Sequence, residues 1–281
     1  MAFNPTALLA HTFPDIKQSY TPRDAILYAL GVGLGHPPTA AEDLKYLLET
    51  NLSVLPTMAV TLCTPGMWIR DPGFGINTAK LVHLSQAAMF HAPLPPQADV
   101  VASARIAALT DRGKDKGALV VVERQIRDEH SMMLYCTLQQ TLLLRAEGGF
   151  GGPKPPPLAP LILPNRAADT QIEFATSPRA ALIYRLSGDW NPLHSHPDIA
   201  AKAGFEQPIL HGLCSYGIAG WVLMQACRRT DLQSLSLRFA GVIVPGDQLN
   251  FSIWQEGDQM LFEAKVADRT VLAHGHAVFA T

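Results

Sequence analysis

The clearest pattern in the chain is a strict alternation of apolar and polar residues near its C-terminal end. Residues 235–239 read LSLRF and residues 250–254 read NFSIW, which is the period of two expected for strands with one buried face. Similar blocks rich in Val and Leu occur earlier. The predicted strand regions are 100–109, 118–127 and 132–145 in the first half and 235–244, 249–255, 260–266 and 271–279 in the second.

The longest apolar segment, residues 213–227, has no clear period. Its length and its Ala, Leu and Met content favour a buried helix over a strand. Shorter helices are predicted to start at Thr21 and Ser177, where proline follows at the first helical position. Helices followed by runs of strands indicate an α+β fold with an antiparallel sheet.

An internal repeat relates the two halves of the chain. TPRDAILYAL at 21–30 returns as SPRAALIYRL at 177–186, an offset of 156 residues. Both copies lead through a glycine-bearing turn and a polar stretch to a proline beside aliphatic residues, Pro56 and Pro208. A duplicated domain explains this shared order. We therefore predict a double hot-dog fold, in which each of two repeats has a long helix wrapped by an antiparallel sheet.

A glycine- and proline-rich segment marks the boundary between the repeats. Residues 148–157 read GGFGGPKPPP, which can sustain neither a helix nor a central strand. We predict a first repeat at residues 1–147, a linker at 148–165 and a second repeat at 166–281.

The composition is that of a folded globular protein and excludes several classes of function. Of 281 residues, 48% are hydrophobic and 16% charged, and the net charge is −2, so no global basic field favours nucleic acid or an anionic membrane. We find no apolar run of the ~18 residues that span a bilayer, no signal peptide and no C-terminal S-K-L peroxisomal signal. The four cysteines lack C-x-x-C spacing, which is typical of buried thiols in a reducing compartment. We expect a cytoplasmic protein without nucleic-acid or membrane partners.

The densest polar cluster is residues 184–196, YRLSGDWNPLHSH. Asp189 and His194 lie five residues apart, and Gly188, Asn191 and Pro192 impose an irregular backbone that can turn both side chains toward one point. A carboxylate beside an imidazole can hold and deprotonate a water molecule. Downstream, the amide of Gly212 is expected at a helix N-terminus, where it suits a developing oxyanion.

Other interpretations of these residues stay open. Asp and Asn in a proline-rich turn often only cap backbone groups. His194, His196 and His211 with Asp189 also allow a zinc site, although no H-E-x-x-H motif or cysteine ligand supports it. The chain has no G-x-S-x-G motif of a serine hydrolase. It has neither a G-x-G-x-x-G motif after a strand nor a P-loop, so we predict no nucleotide cofactor. We also predict no metal.

The segment YRLSGDWNPLH resembles the signature of the MaoC-like, (R)-specific enoyl-CoA hydratase 2 family, an aromatic and an aliphatic residue followed by G-D-x-N-P-aliphatic-H. The resemblance continues through residues 203–205 and 208–214 and into the first half at 28–33, 55–57 and 80–86. It implies a double hot-dog hydratase like that of peroxisomal multifunctional enzymes. It also implies that only the second repeat keeps the catalytic loop. In the first repeat the glycine-rich stretch 31–35 replaces that loop, and we expect a roomy acyl pocket beside it.

The resemblance also implies roles for individual residues. Asp189 and His194 would be the catalytic pair, Asn191 would fix the loop, and the Gly212 amide would polarise the thioester carbonyl. The residues expected to contact the acyl-CoA are His83, Leu84, Arg112 and Phe239. Arg112 aligns only through the charged turn 111–116, which a solvated hairpin tip explains equally well, and Phe239 alone is typical of core.

The activity implied is hydration of a trans-2-enoyl-CoA to a (3R)-3-hydroxyacyl-CoA and the reverse reaction, with no cofactor beyond the acyl-CoA substrate itself. Two alternatives stay open: a dehydratase of a carrier-protein-bound or specialised acyl thioester, and a non-catalytic acyl-CoA binding module. A homodimer is an assembly that the sequence allows.

Overall fold

The computed structural model describes residues 2–156 and 161–280 of the chain. Its strands form one ten-stranded sheet in which every neighbouring pair is antiparallel. The strands are β1 Ile16–Tyr20, β2 Leu81–Phe90, β3 Ala98–Asp111, β4 Ala118–Asp128, β5 Leu134–Leu144, β6 Thr170–Ala175, β7 Leu232–Phe239, β8 Gln248–Glu256, β9 Gln259–Val266 and β10 Arg269–Phe279.

The strand order is the same when read from either edge of the sheet. It runs β1-β3-β4-β5-β2-β7-β10-β9-β8-β6, so each strand of the first half has its counterpart at the mirrored position in the second. The two halves join where β2 pairs with β7, in a register that runs from Ser85 opposite Arg238 to Met89 opposite Ser234. This order is that of two hot-dog sheets joined edge to edge, as the sequence repeat predicts.

Six α-helices lie in the described part of the chain. They are α1 Pro5–Leu9, α2 Pro22–Gly31, α3 Ala41–Leu44, α4 Ala180–Tyr184, α5 Pro197–Lys202 and α6 Gly212–Cys227. The prediction of a buried helix at 213–227 is confirmed, because eleven of the sixteen residues of α6 are buried, and polar side chains such as Ser215 bond to its own backbone. None of these helices is long and apolar enough to cross a membrane.

The long helix expected in the first repeat is a wrong prediction. Within the described residues α6 has no counterpart of similar length. The corresponding part of the first repeat is a 3-10 turn, Pro56–Thr61, followed by irregular chain and two further 3-10 turns, Trp68–Arg70 and Pro72–Phe74. Pro65, Gly66, Pro72 and Gly73 explain the difference, because proline and glycine both interrupt helices.

Smaller differences concern the ends of elements. α4 begins at Ala180 rather than at Ser177, whose carbonyl instead accepts the Ala180 amide in a turn. The strand predicted at 235–244 spans Leu232–Phe239, and the residues after it form a loop that contains Pro245 and Gly246. The predicted regions missed β1, β2 and β6.

The duplicated helices pack against each other at the centre of the molecule. Tyr28 of α2 and Tyr184 of α4 occupy equivalent places in the repeat, both are fully buried, and their ring centroids lie 5.9 Å apart. α6 crosses beside them and approaches α2 closely at Gly217, where a Cβ atom would lie 2.6 Å from the Tyr28 hydroxyl and 2.6 Å from Cγ1 of Val32. The two repeats therefore share one core.

We expect Gly217→Val to lower the free energy of unfolding by about 1–3 kcal/mol, because added methyl groups must force α6 away from α2. Urea denaturation followed by circular dichroism measures the loss. Ala226→Val, at a half-buried position in the last turn of the same helix, is the matched control and should cost less. Equal losses for the two variants would show that the contact at Gly217 does not limit packing.

Candidate active site

The segment 185–196 begins where α4 ends. Gly188 has a left-handed backbone with φ of 115°, which ends the 3-10 turn Arg185–Ser187 and redirects the chain. The Asp189 carboxylate then accepts the Asn191 amide at 3.1 Å, and the Asn191 side chain accepts the Leu193 amide at 3.2 Å. Both side chains therefore cap the turn, and they hold the segment that leads to His194.

His194 is buried and held in one tautomer. Its Nδ1–H donates to the carbonyl oxygen of Ile209 at 2.8 Å, and because a carbonyl only accepts, the proton resides on Nδ1. Nε2 is then left with a free lone pair. Burial lowers the pKa of His194 below its ordinary value of 6.5, so the ring is a neutral base at pH 7.

His211 supports this arrangement, a role that the sequence interpretation missed. Its ring stacks on His194 with centroids 3.8 Å apart and planes 29° apart, and its Nε2–H donates to the backbone carbonyl of Asp189 at 3.2 Å. Burial, with a smaller contribution from His194, lowers the pKa of His211 to about 4. A neutral His211 thus ties the backbone at Asp189 to the ring of His194. The sequence signalled it only as a zinc-ligand candidate.

Asp189, His194 and His211 bring ligand-type atoms together. One atom from each of the three, a carboxylate oxygen and two ring nitrogens, all lie within 4.8 Å of one another. Such a set can hold a water molecule or, by donor type, a zinc ion. His196 lies outside this group, as an exposed residue before α5.

A cavity of about 420 Å³ opens beside Asp189 and Asn191 and extends into the first repeat. Its walls come from the irregular segment that replaces a helix in the first repeat, from the inner faces of β2, β4 and β5, from segment 184–192 and from the start of α6. The residues are Val60, Thr61, Thr64, Pro65, Gly66, Met67, Trp68, Arg70, Gln86, Val122, Arg124, Leu138, Gln140, Tyr184, Ser187, Gly188, Asp189, Trp190, Asn191, Pro192 and Leu213.

The open space is not where the sequence interpretation placed it. A Cβ atom at Gly31 would lie 3.2 Å from Cα of Tyr184, and one at Gly33 would lie 2.8 Å from the ring of Phe174. Residues 31–35 are therefore tightly packed. The expectation of a roomy pocket beside them is wrong, because the missing helix, and not the missing loop, leaves the void.

Three of the other predicted residues meet at the start of α6. Gly212 is the first residue of this helix, and among the described residues its amide donates no hydrogen bond. The ring of Phe239 would lie 3.4 Å from a Cβ atom at Gly212, and it meets His83 edge-on with centroids 4.8 Å apart. Leu84 is half-buried at the bulge that follows His83 in β2.

Arg112 lies apart from these residues. It is exposed at the turn between β3 and β4 and lines a second, open cavity of about 530 Å³ with Lys116 and Lys154. The neighbouring Asp111 carboxylate accepts the amides of Gly149, Gly113 and Gly151, and these bonds hold its pKa below the ordinary value. Asp111 thus binds the start of the linker to the hairpin.

Comparison with known proteins shows which family this chain belongs to. Residues 18–146 match the MFE-2 hydratase 2 N-terminal domain, and residues 162–276 match the MaoC like domain. An enoyl-CoA hydratase of Mycobacterium tuberculosis is 37% identical over 277 residues, which cover 95% of each chain. The chain belongs to the MaoC-like enoyl-CoA hydratase 2 family. The peroxisomal enoyl-CoA hydratase 2 of Arabidopsis thaliana is similarly related, at 37% identity over 96% of this chain and 94% of its own.

A solved structure supports the same assignment. The MaoC-like dehydratase of Phytophthora capsici superimposes with a TM-score of 0.85, at 30% identity and over 99% of both chains. The resemblance read from residues 184–194 is therefore confirmed, as is the double hot-dog fold. The roles of the individual site residues stay predictions.

We expect metal chelators to leave the activity of this MaoC-like protein unchanged, because His194 and His211 each use one ring nitrogen for a backbone carbonyl and no fourth ligand completes the set among the described residues. Elemental analysis of the purified protein, with assays before and after chelation, tests this. About one zinc per chain, with activity lost on its removal, would establish a metal site instead.

The buried histidines predict a pH-dependent stability. Burial lowers the pKa of His83 from 6.5 to about 4, so the unfolded chain binds more protons than the folded one between these values. The free energy of unfolding should be full above pH 6.5 and should fall by about 3 kcal/mol from this residue as the pH drops to 4. Urea melts at several pH values measure the slope.

His83→Leu should reduce that slope without abolishing it, because His194 and His211 still contribute, whereas the exposed His130→Leu should leave it unchanged. An unchanged slope in His83→Leu would mean that other groups control the acid sensitivity.

Proposed function

We propose that this protein catalyses the reversible hydration of trans-2-enoyl-CoA to (3R)-3-hydroxyacyl-CoA. The observation that carries the proposal is that the Asp189 carboxylate and a His194 ring nitrogen lie within 4.8 Å of each other and that Asp189 lines a cavity of about 420 Å³. Membership of a family whose relatives are named enoyl-CoA hydratases supports the substrate class.

The pair acts on one water molecule. The Asp189 carboxylate and the lone pair on Nε2 of His194 are both acceptors, so together they can hold both O–H groups of a water between them. The water oxygen adds to carbon 3 of the enoyl group as one of its protons leaves to the pair. The pair returns one proton to carbon 2, which balances the addition. The low pKa of His194 suits this step, because the ring is unprotonated at neutral pH.

The N-terminus of α6 stabilises the charge that develops on the substrate. Addition at carbon 3 moves negative charge to the thioester oxygen. The Gly212 amide is free to donate to this oxygen at the positive end of a helix of sixteen residues, and such a donor contributes ~3 kcal/mol. The ring of Phe239 lies against the same position, within van der Waals contact of a Cβ atom built there.

Two cavities of the protein suit the remaining parts of the acyl-CoA. The cavity of about 420 Å³ receives the acyl chain, each buried CH₂ of which contributes about 0.8 kcal/mol. Arg112, Lys116 and Lys154 form a basic group suited to the phosphates of CoA. A phosphopantetheine arm on a carrier protein shares only part of the phosphate chemistry of CoA. Hydration rates with CoA and carrier-protein thioesters of the same acyl group therefore show which of the two is the substrate.

We expect Asp189→Asn and His194→Ala each to reduce kcat/KM for hydration by at least about 10²-fold, since acid/base groups contribute 10²–10⁴ in rate. The double variant should be little slower than the slower single variant, because both residues act on the same water. Loss of enoyl-thioester absorbance measures the rate, and coupling to a (3R)-specific dehydrogenase measures the stereochemistry.

His196→Ala is the matched control, an exposed histidine two residues from His194, and it should retain activity. Thermal melts must show that each variant is folded. A single variant that keeps more than about a tenth of the activity would refute the assignment. A wild-type protein that binds acyl-CoA without turnover would identify a binding module instead.

A further inference from the structure

The cavity is lined by a half-buried cation, Arg124, that binding of a plain hydrocarbon chain does not use. Arg124 lies on β4 beside Leu138 of β5, on the inner face of the sheet, and its side chain lines the cavity. One terminal nitrogen, Nη2, donates to the carbonyl of Val60 at 2.9 Å. Its Nε is sealed from solvent and has no hydrogen-bond partner among the described residues. Arginine carries five N–H donors, and most of those of Arg124 lack a protein acceptor.

No negative charge on the protein balances this arginine. Among the described residues Arg124 forms no ion pair, and the acidic residue that lines the cavity, Asp189, belongs to the proposed catalytic pair. The neighbouring thiols do not supply a charge, because burial raises the pKa of Cys63 to about 11 and that of Cys136 to about 12. Burial lowers the pKa of Arg124 to about 10, which still leaves it protonated at pH 7.

A cation in this position is costly to keep. Arg124 is half-buried, and a hydrocarbon chain in the cavity would cover the exposed part of its side chain and leave an unpaired buried charge, which is unfavourable. Anchoring Val60 requires one donor, which a neutral side chain could supply. A carboxylate, in contrast, accepts two parallel N–H bonds from a guanidinium and neutralises it.

We propose that the preferred acyl group carries a carboxylate, as in the monothioester of an unsaturated dicarboxylic acid, and that Arg124 binds this carboxylate inside the cavity. The inference rests on the proposed function, since it concerns the far end of the same acyl chain. The polar side chains of Gln140 on β5 and Gln86 on β2 also line the cavity and are consistent with the proposal, because an acyl pocket for plain hydrocarbon has no need of amides in its wall.

Paired substrates test the proposal on the full-length protein. Trans-2-enoyl-CoAs of graded chain length are prepared with either a methyl or a carboxylate end. For the wild type we expect one range of lengths at which the carboxylate substrate has a kcat/KM at least about tenfold above that of its methyl partner. Arg124→Met should remove that preference, because it should lower kcat/KM at least about tenfold more for carboxylate-ended than for methyl-ended substrates. Arg124→Lys keeps the positive charge but lacks the two parallel donors of a guanidinium. It should retain part of the preference for carboxylate-ended substrates.

A control variant and three contrary results distinguish the possible explanations. Arg105→Met removes an exposed arginine that pairs with Glu123 on β4, and it should leave the ratio of the two substrates unchanged. A wild type that hydrates methyl-ended substrates without any preference for carboxylate overturns the inference but not the proposed function. Equal losses on both series in a folded Arg124→Met show a structural arginine and also overturn it. Absence of hydration of every substrate by the wild type refutes the proposed function itself.

If Arg124→Met does not fold, Arg124→Gln serves in its place, and the wild-type preference remains decisive by itself.

Discussion

The pairing of β2 with β7 is the interaction on which the rest of the structure depends. Each half contributes five strands, and these two would otherwise be edges with unsatisfied backbone groups. Their ladder, from Ser85 opposite Arg238 to Met89 opposite Ser234, fixes how the two halves face each other. It lets α2 and α4 meet at Tyr28 and Tyr184. It also brings segment 187–192 of the second half together with the first-half residues that line the same cavity.

The candidate site depends on polar groups that serve two purposes. Asp189 and Asn191 cap a turn, as short polar residues in proline-rich loops commonly do, and the same turn places His194. The capping interpretation of this segment is therefore confirmed, and it is compatible with the catalytic one, which stays a prediction. The Ile209 carbonyl and the stacked ring of His211 then restrict His194 to one tautomer and one orientation. Such preorganisation lets a buried neutral base act without rearrangement.

The sequence was sufficient to predict features that depend on residues close together along the chain. The decamer repeat predicted two halves, the apolar run predicted α6, and the spacing from Asp189 to His194 placed both residues in one loop. It was insufficient where the outcome depends on distant contacts. β2 was missed because its inner face carries His83 and Gln86 instead of an alternating apolar pattern. The predicted position of the cavity was wrong. The repeat indicated where the side chains of the two halves differ, whereas the cavity is left by a helix that does not form in the first half. The stacking of His211 on His194 joins segments that no local pattern connects.

The mirrored strand order has a consequence for how such a site can diverge. In a dimer of identical chains, any change that removes the central helix removes it from both copies, together with the helix N-terminus that each copy contains. Here the covalent linker, bound to the hairpin through Asp111, keeps the two halves together at an effective concentration far above that of free subunits. Each half can therefore vary independently. One half has α6 and the loop that ends at His194, while the other has 3-10 turns and irregular chain in place of a long helix, and this segment lines the cavity.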